Sequence, residues 1–554
     1  VSIAGRKKLL LKNPDFGSID MGRTLIFAML FPLGILAQER ISLVTDRDIY
    51  FAGDMVWLSA AITAEEGLSR ILLVELVDGA ASYAKAKLPI EKGRASGAMR
   101  IPEGLAGKNY QIRVYTNWQR NFPPEFYCTH QLTILNPATP LPNPMQAWQA
   151  PDGEEPEACK LEVQGLKGRY AHREKVIFSI SSAKAIDAVV EVVKKGAVRG
   201  NRPLHSASRP FAMPDGDISP ALLPDIRDVS LSGVLEDSAG GTPVRGGWVY
   251  VSVIGEGGQQ LHVYQTDENG VFVFPLNHLT GMQKIAVSAE LGNRVRIHAD
   301  FSDRYAAFPA VELAPDTTLR QLFEEMHINS QLERKYQPVQ TDSALLPPPV
   351  GEWFGRPAAS VALKDYVALP TMEDVFSEIV PYVSVRRKNQ RLQLWVLDRE
   401  ETGFDPSPLV LIDNVPVFDL DALMEVNPAL VTRIEVINEP YMLGSHSISS
   451  LISVTTGTSD FAGLKFPPST VFLNYQTREA PHAFPAAGPE TRESRMPDFR
   501  TVLYWNPQIN LGPGGHQLEF YTSDHESEYL LLVRGWDELG REVYWEKSFS
   551  VGKD

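Results

Sequence analysis

The sequence predicts a mainly β chain: a series of β-sandwiches in tandem with one small α+β domain. Apolar and polar residues alternate over short runs, turn residues recur between those runs, and helical spacing replaces the alternation in only a few places. The composition points the same way, since 41 Gly, 41 Pro and 44% hydrophobic residues describe a globular chain dense in turns. A length of 554 residues suits about three to five domains.

The first element is apolar rather than alternating. Residues 24–36 carry no charge, with Arg23 before them and Ala37 and Gln38 after. A basic start, an apolar run of roughly 7–15 residues and a small residue at the cut make a secretory signal peptide, assigned to residues 21–38. A spanning helix needs about 20 apolar residues, so a permanent anchor is the weaker reading, and a buried core helix is weaker still. Met21 opens this segment on its own, so residues 1–20, with Arg6, Lys7, Lys8 and Lys12, read as an over-long start. No Cys follows the run closely, which leaves lipoprotein acylation without a residue to act on.

A first sandwich is expected over 39–136, with strands at 41–45, 55–62, 70–77, 97–101 and 110–115 and a turn at Gly53. Residues 137–156, rich in Pro and Ala, read as a linker. A second sandwich is expected over 157–225. Its Gly168-Arg-Tyr-Ala-His-Arg-Glu-Lys-Val-Ile-Phe178 repeats the grammar of residues 48–58: a Tyr, a polar turn, then an alternating strand. A third sandwich is expected over 229–301, where Asn269-Gly270 supplies the positive φ of a tight turn. Asp267 and Asn269 are calcium-ligand types, but the rest of an EF-type loop is missing, so the turn reading prevails.

Past residue 301 the period changes. Residues 302–365 read as a helical and Pro-rich linker, in which Leu319, Leu322, Phe323 and Met326 have helical spacing behind Asp316 or Thr317 as N-cap. Residues 366–458 read as an α+β domain. Thr371 caps a short helix with Asp374 in the capping-box position, a second helix lies near 420–426, and strands lie at 392–397, 409–412 and 433–437. Residues 495–554 read as the closing part of a β-sandwich.

A net charge of −15 without a long basic run argues against a nucleic-acid surface. Cys128 and Cys159 are too few for a disulfide scaffold or a cysteine-ligated zinc site. In an oxidising compartment, pairing across a domain junction and two separate thiols are equally open. The chain lacks a G-x-S-x-G elbow, an H-E-x-x-H pair and a phosphate loop. Ser445 beside His446 is better explained by a turn, because sequence neighbours seldom have triad geometry. No residue is therefore assigned a catalytic, cofactor-binding or metal-binding role, no cofactor is expected, and the chain reads as a non-enzyme.

Several strings resemble known families. Thr45-Asp-Arg-Asp-Ile-Tyr-Phe-Ala-Gly-Asp-Met-Val-Trp57 and Tyr110-Gln-Ile-Arg-Val-Tyr-Thr-Asn-Trp118 resemble the macroglobulin-type domain of large bacterial envelope proteins. The reactive Gly-Cys-Gly-Glu-Gln thioester of full alpha-2-macroglobulins is missing from the sequence, so covalent protease trapping is not implied. Ser232-Gly-Val-Leu-Glu-Asp237 through Thr266-Asp-Glu-Asn-Gly-Val-Phe272 resembles the carboxypeptidase-regulatory-like (transthyretin-like) sandwich. Pro408-Leu-Val-Leu-Ile-Asp-Asn-Val-Pro-Val417, Ile434-Glu-Val-Ile-Asn-Glu-Pro440 and Ile452-Ser-Val-Thr-Thr456 resemble a TonB-dependent receptor plug, with Asn414 where plugs carry Gly. A receptor barrel would need roughly 22 strands of about ten residues, and about one hundred residues follow the plug-like unit. Pro497-Asp-Phe-Arg-Thr-Val-Leu-Tyr-Trp-Asn-Pro507 with Leu518-Glu-Phe-Tyr-Thr-Ser-Asp524 resembles the closing sandwich of Bacteroidetes macroglobulin-like proteins.

These resemblances imply tandem Ig-like, macroglobulin-type β-sandwiches with one plug-like α+β domain. They imply a binding and scaffolding protein of the periplasm or outer membrane, peripherally held and without nucleic acid. The expected partners are proteins of the cell envelope, among them an outer-membrane barrel or a TonB-type protein. The alternative is an accessory component of TonB-dependent uptake working with a separate barrel.

Overall fold

The computed structural model describes residues 39–63, 69–79, 81–136, 138, 157–158, 160–198, 205–206, 222–254, 260–276, 279–306, 317–336, 354, 356–388 and 391–552. The expected signal peptide, nearly all of the expected linker 137–156, residues 307–316 and 337–353 of the expected linker 302–365, and Cys159 lie outside these residues. The fold is mainly β, in small sheets that pair face to face.

In the first sandwich, Arg40–Thr45, Met55–Thr63 and Arg94–Arg100 form one sheet, with His205–Ser206 added at its edge. The facing sheet runs Ile49–Phe51, Cys128–Leu135, Lys108–Tyr115, Ile71–Val77, Ser82–Pro89. Strand alternation sends Leu43, Leu58, Val74 and Ile112 into one core between the sheets. Residues 48–54 are more than a turn. Ile49–Phe51 crosses to the second sheet and lies parallel to Cys128–Leu135, and Gly53 then turns the chain back at a φ of 93°.

The second sandwich is discontinuous in sequence. Leu161–Gln164 and Lys175–Ser182 share a sheet with His516–Tyr521. In the facing sheet, Ile186–Lys194 is flanked by Val502–Leu511 and Ser527–Asp537. The strands expected as a separate unit in 157–225 and as a closing piece in 495–554 are thus one sandwich, with one core. The reason is visible in Ile186–Lys194, which is Val-rich and buried on both faces and so needs a partner strand on each side. The two sandwiches share a device: Arg169–Tyr170 lies parallel to the last strand, Glu542–Val551, as Ile49–Phe51 does to Cys128–Leu135, and Tyr50 and Tyr170 are both buried.

The third sandwich packs Val271–Pro275, Ser230–Asp237 and Asn293–Ile297 against a sheet of Gln260–Gln265, Trp248–Ile254, Met282–Ala289 and Thr470–Gln476. That last strand comes from beyond the α+β unit, so the expected limits 229–301 omit one strand. The α+β unit has Ala359–Ala362, Val431–Ile437, Leu451–Thr456, Leu409–Ile412 and Val415–Pro416 in one sheet, with Leu409–Ile412 and Leu451–Thr456 parallel. Thr371 caps its first helix as expected, accepting from the Asp374 N–H at 3.1 Å, and Asp419 caps Leu420–Met424.

The helix Thr317–Tyr336 does more than connect. Phe323 and Met326 enter an apolar cluster that joins Val44, Phe51 and Trp57 of the first sandwich to Val189, Trp505 and Trp536 of the second. Across the same junction, Ser59 donates to the Pro507 carbonyl at 2.8 Å, and the Arg94 guanidinium lies 4.1 Å from the Trp536 ring centre. A further cluster joins Ile71, Leu73, Tyr115 and Tyr127 of the first sandwich to the core of the third. Another joins Tyr250 and Leu261 of the third to Leu409, Leu411 and Ile437 of the α+β unit.

Candidate interaction surface

Several buried titratable groups among the described residues are spent inside these junctions. Glu191 accepts two hydrogen bonds from Arg534 at 2.6 and 2.7 Å, and Arg534 also donates to the Thr45 carbonyl of the first sandwich at 2.7 Å. Burial pushes the Glu191 carboxyl up to about 8 while Arg534 pulls it down. Arg113 bonds Glu75 and reaches the Ser302 and Arg304 carbonyls beside the third sandwich at 2.7 and 2.6 Å. Lys87 meets Asp300 at 2.6 Å and lies over the Tyr475 ring, and burial pushes its ammonium down. Lys194 and His525 both meet Glu325, which ties the long helix to the second sandwich. Each group is a strut between packed units.

The residues weighed from sequence fall the same way. Asp267 Oδ1 accepts the Asn269 and Val271 N–H groups at 2.8 Å, and Gly270 sits at φ +72°, where an added Cβ would stand 2.8 Å from the Leu235 carbonyl. That carboxylate is spent on its own turn. His446 lies 4.2 Å from Trp248, ring centre to ring centre, and bonds the Tyr250 hydroxyl at 3.2 Å. It pins the hairpin Tyr441–Leu443 and His446–Ile448 to the third sandwich. Cys128 is buried in the core of the first sandwich, and burial raises its thiol pKa. Among the described residues, no group of three or more His, Cys, Asp or Glu stands together as a metal site.

The plug-like turn is also committed. Asp413 and Asn414 both have positive φ, 45° and 67°, which Asn tolerates where plugs carry Gly. The Asp413 carboxylate accepts from Thr456 N–H, Thr456 Oγ1 and Phe461 N–H at 2.7–2.9 Å. Ser252 of the third sandwich donates to the Asn414 carbonyl at 2.7 Å. The turn therefore faces a neighbouring unit of the same chain.

A surface with recognisable chemistry lies on the α+β unit. Val383–Lys388, Arg391–Leu397 and Phe404–Asp405 make a three-stranded antiparallel sheet with Val383–Lys388 at one edge. Leu392, Leu394 and Val396 turn into the core, so alternation turns Arg391, Gln393, Trp395 and Leu397 outward. The register sets Ser384 opposite Trp395, Arg386 opposite Gln393, Lys388 opposite Arg391 and Phe404 opposite Leu397. The Arg386 guanidinium lies 4.3 Å from the Trp395 ring centre and 5.1 Å from that of Phe404. Phe404 is 40% exposed and Tyr382 is 39% exposed. The result is an aromatic platform under a cation, with Lys388 and Arg391 exposed beside it. Sequence reading missed this face. The cue was the run Arg386-Arg387-Lys388 next to an alternating strand, but only the register puts Arg386, Trp395 and Phe404 on one side.

No family model and no curated protein matches the chain. Among solved structures, it is similar over 93% of its length to alpha-2-macroglobulin of Escherichia coli, at 10% identity and a TM-score of 0.23. The corresponding values for Salmonella alpha-2-macroglobulin are 93%, 10% and 0.23. For dimeric latent PorU from Porphyromonas gingivalis they are 93%, 9% and 0.14. The chain spans 40% and 39% of the length of the two macroglobulins and 34% of PorU. Scores of this size carry no argument about function. The fold defines a class: a multi-unit β-sandwich chain with an embedded α+β unit.

Proposed function

We propose that this chain is a non-catalytic binding and scaffolding module of the cell envelope, exported to the periplasm or held peripherally at the outer membrane. One observation carries the reading: apolar clusters and buried ionic struts join each unit to the next. Such joints hold loops and sheet edges in fixed relative positions, which suits recognition of a large partner. The non-catalytic part rests on the use of the buried titratable groups as struts. Crosslinking in intact cells, followed by identification of the bound proteins, tests it. Recovery of envelope proteins supports the reading, and a chain found uncrosslinked in the cytoplasm overturns it.

The alternative, an accessory of TonB-dependent uptake, rests on the plug-like strand pattern. The packing of Asn414 against Ser252 weighs against it, because the turn by which the unit resembles a plug is covered by the third sandwich. Pull-down from envelope extracts decides between them: recovery of an outer-membrane barrel or TonB-type protein favours the accessory role, and failure to recover either removes it.

A further inference from the structure

We infer that the edge strand Val383–Lys388 and the aromatic face beside it dock an acidic, extended peptide segment of a partner protein, added as a further strand to this sheet. The inference rests on the binding-module reading and gives it a site and a ligand chemistry. Four observations support it.

The strand lies at the end of its sheet, so one side of its backbone has no strand partner among the described residues. Backbone groups at such an edge are a template for strand addition. The next two observations concern charge. The chain as a whole carries −15, yet Arg386, Arg387, Lys388 and Arg391 gather on this hairpin. Arg387 pairs with Glu373 at 2.8 Å on the surface, whereas Arg386, Lys388 and Arg391 have no acidic partner among the described residues. A local positive field on an acidic protein selects an acidic partner and repels a basic one. A second copy of this chain fits poorly, because edge-to-edge pairing would bring Arg386, Arg387 and Lys388 beside their counterparts.

The fourth observation is the platform. Cations on an edge strand also guard against aggregation, but a guard needs no aromatic neighbours. Here Arg386 is held over Trp395 and Phe404, and the exposed Tyr382 stands just before the strand, its carbonyl accepting the Leu397 N–H at 2.8 Å. Alternate side chains of an added strand would lie beside this row, so an acid next to Arg386 and an apolar or aromatic residue next to the rings is the pattern that fits.

The test uses the full chain and a labelled synthetic peptide alternating Glu with Val around a central Tyr, read by fluorescence anisotropy. Binding is expected, weakening with added salt, and falling about tenfold or more in Arg386→Glu and further in Arg386→Glu/Arg391→Glu. These residues are exposed, and an unchanged circular dichroism spectrum checks that the variants fold. Methylation of alternate peptide amides should abolish binding, because strand addition needs those N–H groups. Undiminished binding by the variants, or by the methylated peptide, overturns the proposal. So does preferential binding of phosphatidylglycerol vesicles, which would make the patch a lipid contact, or a dimer that dissociates in Arg386→Glu, which would make a second copy the occupant. If the peptide fails while crosslinking in cells still recovers envelope partners, this site is wrong and the scaffold reading stands.

Discussion

Arg534→Ala tests whether the first two sandwiches are one mechanical body. The substitution removes two hydrogen bonds to Glu191, at 2.6 and 2.7 Å, and the bond to the Thr45 carbonyl at 2.7 Å. Both side chains of the pair are almost fully buried, so above about pH 8, where the carboxyl of the parent is ionised, the substitution removes its counter-charge. Stranding one member of a buried pair costs about 3–5 kcal/mol. Replacing both with apolar residues of similar shape, as in Glu191→Leu/Arg534→Met, should recover most of that loss. Urea unfolding read by tryptophan emission suits the question, because Trp57, Trp505 and Trp536 all sit in the cluster at this junction. The pH dependence adds a second readout. Burial holds the Glu191 pKa at about 8 against an ordinary 4.5, so the folded chain binds that proton more tightly than the unfolded chain. Stability from this group is therefore present at low pH and is lost as pH rises through about 8. Arg534 is the first of the influences lowering that value, so in the Ala variant the loss should continue to higher pH. A variant within about 1 kcal/mol of the parent, with a superimposable pH curve, would refute the reasoning.

Other perturbations probe the remaining joints. Phe323→Ala should cost about 3–5 kcal/mol at the helix and expose Thr317–Tyr336 to limited proteolysis before the sandwiches yield; unchanged cleavage kinetics would contradict the wedge role. Gly535→Ala puts a Cβ 2.2 Å from the Asp187 carbonyl of the adjacent strand, and a loss of about 1–3 kcal/mol is expected from thermal unfolding. Burial lowers the His446 pKa, so the stability it lends the 441–448 hairpin is present above the ordinary 6.5 and lost as pH falls through the folded value. Hydrogen-exchange protection factors in that hairpin, corrected for the intrinsic pH dependence of exchange, should fall in acid, and His446→Leu should flatten the response. Deleting 495–554 should leave Ile186–Lys194 without either neighbour strand, and the resonances of residues 161–194 should collapse in an NMR spectrum.

Local grammar was legible in the sequence wherever it depends on neighbours along the chain. Thr371 and Asp374 are three residues apart, and their cap forms as the spacing implies. The Asp267 to Gly270 turn needs only its own side chains and a positive φ. The mainly β class followed from alternation alone. Strand partnership was not legible, because Val192 carries no mark that its neighbours are Tyr504 and Leu531. The same limit hid Thr470–Gln476 from the third sandwich and split the second sandwich in two. It also hid the candidate surface: Arg386, Trp395 and Phe404 lie on three strands, and only their register aligns them.

The split second sandwich has a consequence in time. Its central strand Ile186–Lys194 is made early, whereas both neighbours, Val502–Leu511 and Ser527–Asp537, come about three hundred residues later. At synthesis rates of about 5–20 residues per second, that gap lasts roughly 15–60 s. Throughout it, a Val-rich strand with two open edges must be shielded from other chains. Completion then waits for residues 502–537, and a chain interrupted before them would carry this sticky strand with nothing to close it. The finished sandwich therefore marks chains whose synthesis has run past residue 551.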